Sequence, residues 1–317
     1  MLNRRQLRIK VMEALYAFFA GSGSKKDKLS ELLTAFESIS ELGIFLLLLL
    51  KEIKIYANHR IDKAKTKYLP TGDDLSPNTR FINNGIWQIL EHDEKLAKTA
   101  AKLKFSWKEE EELVKNIYLA IKAGNEYAAY INSPDDSFDN DRKFAMDIYR
   151  KYILSNEWLS QFLSEKNLHW AVNLDFAHKI VLEVMEGSYP AMLSRPELNI
   201  IPDTILSRED ALFITNLFTK TIENNVTYEK WIGDKAKNWE KERIAAMDIL
   251  LMKMALCEIL EFSTIPVKVS LNEYIEISKM YSAPQSGGFI NGILDSIVAD
   301  LHTQKKIAKQ GRGLIDS

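Results

Sequence analysis

The sequence predicts an all-α protein, and three observations carry that prediction. Apolar residues recur at spacings of three and four along almost the whole chain. No stretch alternates with period two for long enough to demand a sheet. Thirteen Gly and eight Pro in 317 residues are few for a protein built on tight turns. The composition, 46% hydrophobic and 27% charged, is that of a soluble globular chain with enough apolar material for one large domain or two smaller ones. A formal net charge of -2 means that a polyanion would have to be met by a local patch.

The first helix is expected over 4–20. Leu7, Val11, Ala14, Leu15 and Phe18 form its apolar stripe, and Arg4, Arg5 and Arg8 fall in one arc beside it. "GSGSKKDK" ends it, since glycine suits the left-handed position past a helix end. Lys28 to Tyr56 reads as one long helix. Its run "GIFLLLLL", Gly43 to Leu50, is flanked by Glu41, Lys51, Glu52 and Lys54. A bilayer span needs about 20 apolar residues, and no apolar h-region follows the basic start, so a cytosolic protein without a membrane span is expected. "YLPTGDDLSPN" is a loop, with Ser76–Pro77 restarting a helix in cap-then-proline order. Ser106 with Glu109, and Ser270 with Glu273, are spaced as capping boxes. Another helix starts at Ser207 with Asp210. Three prolines in "SYPAMLSRPELNIIPD", Ser188 to Asp203, mark the clearest linker.

An internal echo appears at an offset of 69. It pairs Phe144 with Phe213, Ile153 with Ile222, Asn156 with Asn225, Phe162 with Trp231 and Trp170 with Trp239. Two copies are too few for a solenoid, and an ancient duplication and shared helix patterning both account for the match.

Little in the chain points to catalysis. The five histidines, His59, His92, His169, His178 and His302, never take the spacing of a helical zinc site. There is no phosphate-binding G-x-x-x-x-G-K and no G-x-S-x-G elbow. Cys257, the one cysteine, sits in the apolar run "LLMKMALCEIL" and reads as core. Acidic pairs in "KEEEELV" and "SPDDSFDND" read as solvated faces, because a catalytic dyad needs burial to shift its pKa. The chain is expected to be no enzyme and to need no cofactor or metal.

Two stretches stand out. In the opening helix, guanidinium forks could grip phosphates while Tyr16 offers a stacking face; a solvated helix flank explains the same cations. In "YSAPQSGGFINGILDSIVADL", free N–H groups at a helix start would attract an anion, and Gly287 and Gly288 would admit a ligand backbone. On local grounds a tight inter-helix turn is the better account of those glycines.

Together these stretches resemble the NusB family of bacterial transcription antitermination factors. Members begin with an arginine-rich helix running into Ala-Leu-Tyr, matched by Arg4, Arg5, Arg8 and Ala14-Leu15-Tyr16. They end in a pattern matched by "PVKVSLNEYIEISK", Pro266 to Lys279, and "FINGILD", Phe289 to Asp295. The resemblance covers residues 1–21 and 207–301. It implies a NusB-like helical bundle carrying a helical insertion over 22–206, with 302–317 a basic, flexible tail. This long form is similar to the Bacteroidetes branch of the family.

The resemblance further implies a cytoplasmic, non-enzymatic RNA-binding adaptor. Such proteins pair with NusE, a ribosomal small-subunit protein, bind single-stranded boxA RNA in ribosomal RNA transcripts and act with the elongation complex. RNA contacts carry over to Arg4, Arg5, Arg8 and Tyr16, and to Gln285, Ser286, Gly287, Gly288, Phe289 and Asn291. Lys10 joins them by position alone. Asp248 falls where an acidic residue looks partner-facing. Gln6 and Gly288 stand where a cation is common, and Gln285 replaces a frequent aspartate. Each missing cation removes about one phosphate contact. A helical scaffold that has lost RNA binding is the competing reading. A fused RNA methyltransferase fails, because only sixteen residues follow Leu301 and no cofactor loop is present.

Overall fold

The computed structural model describes residues 3–21, 23–103, 106–195, 200, 206–236 and 245–314. Every regular element among them is helical. In chain order these are α1 (Arg4–Phe19), α2 (Lys25–Lys65), α3 (Gly72–Leu75), α4 (Gly85–His92), α5 (Glu94–Ala100), α6 (Glu111–Ala123), α7 (Asn125–Ile131) and α8 (Phe138–Ile148). Then follow α9 (Glu157–Lys166), α10 (Leu168–Ala171), α11 (Leu174–Glu186), α12 (Arg208–Glu223), α13 (Asn225–Lys235), α14 (Ala246–Glu261), α15 (Val267–Tyr281) and α16 (Ser286–Thr303). The chain divides into two compact units. One, the terminal unit, comprises Leu2–Thr34 and Leu206–Ser317; the other, the central unit, comprises Ala35–Ile205.

The core of the terminal unit is α14, which packs against α1, α12, α13, α15 and α16. Its residues from Leu250 to Ile259 are all buried, as expected of a helix that is apolar nearly all round. The first half of α1 is enclosed in the same way. Gln6 through Met12 are buried without a break, because α12, α14 and α15 cover more than the one stripe that the sequence marked.

In the central unit the apolar half of α2 is the spine. Phe45 stacks on Trp107 with ring centroids 4.1 Å apart, and the Trp107 indole donates to the Phe45 carbonyl at 2.7 Å. By length and composition α2 could cross a membrane, with an 18-residue window of mean hydropathy 1.8. That window is 61% buried within the fold, and Leu42, Leu46 and Leu49 are fully enclosed.

Several local expectations shift. The helix expected from Ser76–Pro77 begins instead at Gly85, capped by Asn84, whose side chain accepts from the Ile86 N–H. Ser106 caps only the short 3₁₀ turn Trp107–Glu109, through the Lys108 N–H. Ser207 does cap α12, accepting from the Asp210 N–H at 3.0 Å. Ser270 is no cap at all: α15 starts at Val267 behind Pro266, and the Ser270 hydroxyl turns into the core.

Gly21 and Gly23 take φ of +87° and +92°, so the break after α1 is where glycine is needed. Both halves of the 69-residue echo are helices broken in front of a second helix, at Ser155–Asn156 and at Asn224; Trp239 lies outside the described residues. The tail expected to be flexible packs onto the α14–α15 turn. The Lys309 ammonium donates to the Phe262 carbonyl at 3.0 Å, and the Gln310 N–H donates to the Ser263 carbonyl at 2.9 Å. A Cβ at Gly313 would collide with that same carbonyl.

Candidate nucleic-acid interface

The terminal unit is organised by three charged residues on its central helix. Asp248, Lys253 and Glu258 are buried to within 7% exposure and follow one another at intervals of five. At 100° per residue each points about 140° away from the last, so each meets a different neighbour. Glu258 is fully buried and takes four donors. Arg8 grips it with two guanidinium nitrogens at 2.7 and 2.6 Å, Ser270 donates at 2.8 Å and Tyr274 at 3.1 Å. Lys253 donates to Asn225 at 2.7 Å and Glu229 at 2.8 Å on α13, and lies over the Phe19 ring. Asp248 accepts from the Ser282 hydroxyl and from that of Ser286 at 2.8 Å.

This arrangement corrects the reading of Arg8 as an exposed phosphate contact. Burial works against its charge, but the hydrogen bonds and charge of Glu258 outweigh it and hold the guanidinium above its ordinary pKa. The pair joins α1 to α14, and breaking a buried pair from one side costs about 3–5 kcal/mol. Lys10 is likewise buried and bonds Glu13 at 2.8 Å. Ser286 and Asp248 are buried against each other, so Asp248 braces the α16 start from within.

Arg4 and Arg5 remain partly exposed, each beside carboxylates. Arg4 reaches Glu209 at 2.6 Å and Asp210 at 3.4 Å and lies 4.5 Å from the centre of the Phe213 ring. Arg5 takes Glu273 through two nitrogens at 3.0 and 2.9 Å. The hydrogen bond to Glu273 raises its pKa further. These side chains edge an open groove of about 1120 Å³ between α1, α12 and the start of α15. Its walls mix Arg4, Arg5, Glu209 and Glu273 with Leu212, Phe262, Ile265 and Val269. Gln6 is no vacancy in the cation row: its side chain accepts from the Asn3 N–H at 2.9 Å, completing a capping box at the start of α1.

The Gly-Gly stretch is the first turn of α16, not a loop. A Cβ at Gly287 would make only ordinary contact, 3.6 Å from Ile275 and Ser278 on α15, and Gly288 faces open space. Gln285 and Gly288 are exposed, and Gly287, Phe289 and Asn291 are half-buried. Asn291 donates to Asp295 at 2.9 Å. Tyr16 is 49% exposed.

The expected RNA residues therefore fall into two groups along α14. Arg4, Arg5 and Arg8 gather at its Glu258 end and the α16 start at its Asp248 end, ten residues or about 15 Å apart. Phe19, at the end of α1, lies over Lys253 between them, and Tyr16 is one turn back. α15 separates the groups as well: Glu273, which takes Arg5, and Ile275 and Ser278, which approach Gly287, point about 140–160° apart around it. Sequence reasoning missed Glu258 and the serine brace. An acid inside the apolar run "LLMKMALCEIL" was the available signal for Glu258.

Cys257 is not set up as a nucleophile. Burial pushes the Cys257 thiol up to about 12, and no group of three or more metal-ligating side chains occurs among the described residues.

The family model described as "NusB family" matches residues 175–299. That segment begins in α11, ahead of residue 207, and does not include α1. The transcription antitermination protein NusB of Salinibacter ruber is 48% identical over 103 residues, 32% of this chain and 64% of that protein. Its namesake in Chloroherpeton thalassium is 39% identical over 118 residues, 37% of this chain and 56% of that protein. That of Natranaerobius thermophilus is 33% identical over 90 residues, 28% of this chain and 65% of that protein. The chain thus spans between about half and two thirds of the length of these curated relatives. No solved structure matches. Over that stretch, the chain is homologous to the NusB family.

Proposed function

We propose that the chain is a cytoplasmic RNA-binding adaptor in transcription antitermination. It pairs with NusE, binds single-stranded boxA RNA of ribosomal RNA transcripts, works with the elongation complex and uses no cofactor. The match over 175–299, which takes in α12 through α16, carries this reading. In it, residues 1–21 and 207–301 serve as the adaptor and 22–206 as an elaboration of it.

The burial pattern narrows the contact set. Tyr16, Gln285, Gly287, Gly288, Phe289 and Asn291 present stacking faces, small residues and an amide where one strand could lie. Arg4 and Arg5 are a second, weaker group, because phosphates must displace Glu209, Asp210 and Glu273 to reach them. Arg8, Lys10, Ser286 and Asp248 act from beneath by holding α1 and α16 in place.

Fluorescence anisotropy with labelled boxA RNA and NusE tests the proposal. Tyr16→Ala with Phe289→Ala should lower affinity by roughly tenfold or more, from the usual 1–3 kcal/mol per stacked base. A parent protein that binds boxA no better than a scrambled strand, with NusE present, rejects the reading. The scaffold alternative draws on one observation: Arg4, Arg5 and Arg8 are all engaged by carboxylates. A NusE complex indifferent to boxA would favour it.

A further inference from the structure

The central unit carries a second concentration of positive charge, far in sequence from the residues discussed so far. α2 meets the segment that leads into α6, and α6 itself, at two points: Glu52 feels the charge of Lys108, and one turn on Tyr56 packs edge-on against Tyr118 at 5.5 Å. Arg60, one turn later, is close enough to Tyr118 for its charge to act on the phenol. Charge is polarised along this pair. Acids gather where α6 begins, at Glu109 to Glu112, with Glu52 opposite. Cations continue along the pair: Arg60, Lys63 and Lys65 lie in the last turns of α2 and Lys67 just after it, while Lys115 and Lys122 flank Tyr118 at i−3 and i+4 on α6.

Acids neutralise only part of this charge. Lys65 is beside Asp62 at 3.4 Å and Lys67 bonds Asp74 at 2.8 Å, and Asp73 stands next to Asp74. Arg60, Lys63, Lys115 and Lys122 are exposed, and none makes an ion pair within 4.0 Å among the described residues, although Glu111 and Glu112 stand one turn before Lys115. Complementing the helix dipoles accounts for Lys63, Lys65 and Lys122, which lie in or at the last turns. It does not account for Arg60 or for Lys115, two turns before the end of α6, since the dipole effect fades within one turn. Five residues beyond Lys63, the segment that follows α2 presents Tyr68 at 98% exposure and Leu69 at 81%. A bare aromatic ring with unpaired cations is what a sequence-tolerant single-strand binder needs: charge that tracks phosphates and a face on which a base can stack.

We propose that the α2–α6 surface of the central unit binds single-stranded RNA without base preference, through Arg60, Lys63, Lys115 and Lys122 with Tyr68 as the stacking face. It uses none of the residues proposed for boxA RNA, so the two readings fail independently.

The test uses the full chain and a labelled oligo(U) strand of about 40 nucleotides, which carries no boxA sequence. Anisotropy titrations over a range of salt give the affinity and its salt dependence. Replacing Arg60, Lys63, Lys115 and Lys122 with Gln should flatten the slope of log K against log salt by about 0.7 for each phosphate no longer neutralised. Tyr68→Ala should weaken binding roughly 5- to 150-fold while leaving that slope in place. All five side chains are exposed, so thermal melts of the variants should overlay the parent. A quadruple variant with parental affinity and slope overturns the proposal. So does a variant that keeps oligo(U) binding but loses binding to polyglutamate or to anionic phosphatidylglycerol vesicles, which would assign the patch to an acidic protein or a membrane surface. Failure of the parent on boxA RNA, with oligo(U) binding intact and patch-dependent, would reject the adaptor reading and leave this one standing.

Discussion

The two units bury their polar groups by different means. In the terminal unit, α14 carries Asp248, Lys253 and Glu258 into the interior, and each is answered by side chains: hydroxyls, an amide, a carboxylate or a guanidinium. In the central unit the buried polar residues are mostly neutral, among them Asn84, Asn173 and His178. Its buried carboxylate, Asp93, is met by backbone and accepts the Leu96 and Ile200 N–H groups, both at 2.6 Å. A charge answered by a charge ties distant helices together and fails badly when one partner is removed. A neutral pair is undemanding until pH charges it.

The largest effect should therefore come from the Arg8–Glu258 pair. Arg8→Ala strands a fully buried carboxylate with only Ser270 and Tyr274, and should cost the terminal unit about 3–5 kcal/mol. Urea denaturation would read this as a lowered midpoint. Arg8→Met combined with Glu258→Leu should recover at least half of the loss, because replacing both members of a buried pair by apolar groups is often close to neutral. A double variant as unstable as Arg8→Ala alone would mean that the packing of α1, rather than the stranded charge, sets the cost.

His178 provides the contrast. Its Nδ1 shares a hydrogen bond with the Tyr149 hydroxyl at 2.7 Å, and burial lowers its pKa to about 4 from 6.5. The folded state thus refuses a proton that the unfolded chain accepts below about 6.5. Stability contributed by the neutral ring is complete above pH 6.5 and is lost as pH falls toward 4, by about 3 kcal/mol in all. Four of the six tryptophans, Trp87, Trp107, Trp158 and Trp170, lie in the central unit. Indole emission during denaturation at pH 7, 5.5 and 4.5 would follow the decline, and His178→Gln should flatten it. An equally steep decline in that variant would place the acid sensitivity elsewhere.

The helical character of the chain was legible because period 3.6 is written in every segment. The residues "DILLMKMALCEIL" announced a buried helix through their apolar density, and charges spaced by five were visible in the same string. What they would meet was not. Arg8 and Glu258 are 250 residues apart, and a single sequence holds no record of which cation is answered by which acid. The arginines looked like a surface patch because local periodicity describes one helix at a time, while α1 is covered by three others. Ser270 and Glu273 had the spacing of a cap, yet Pro266 had already started the helix, leaving both side chains to face α1 and α14. The glycines of "QSGGFING" suggested a loop but form the first turn of α16, and the start of that helix is held by Asp248, 38 residues away from Ser286, which no local motif records.

The Asp248 brace should be next in size. Asp248→Ala leaves the Ser282 and Ser286 hydroxyls without their carboxylate, a loss of about 1.5–3 kcal/mol for bonds to a charged acceptor. Its effect should concentrate at the α16 start, so amide exchange at Gly287 and Phe289 should quicken more than exchange within α12. Uniform acceleration across the unit would show that Asp248 supports the whole bundle instead.

The exposed arginines mark the small end of the scale and the sharpest point of the comparison. Arg4 is 35% exposed and its partner Glu209 is 85% exposed, so water screens the pair and Arg4→Ala should change stability by no more than about 1 kcal/mol. The same weakness makes Arg4 available: a phosphate can take the place of Glu209, whereas nothing can take the place of Glu258 on Arg8. Glu209→Gln should then leave the melting temperature nearly unchanged and tighten RNA binding at low salt, with the gain fading as salt rises. Unchanged RNA affinity in that variant would place Arg4 with Arg8, as part of the scaffold rather than the interface.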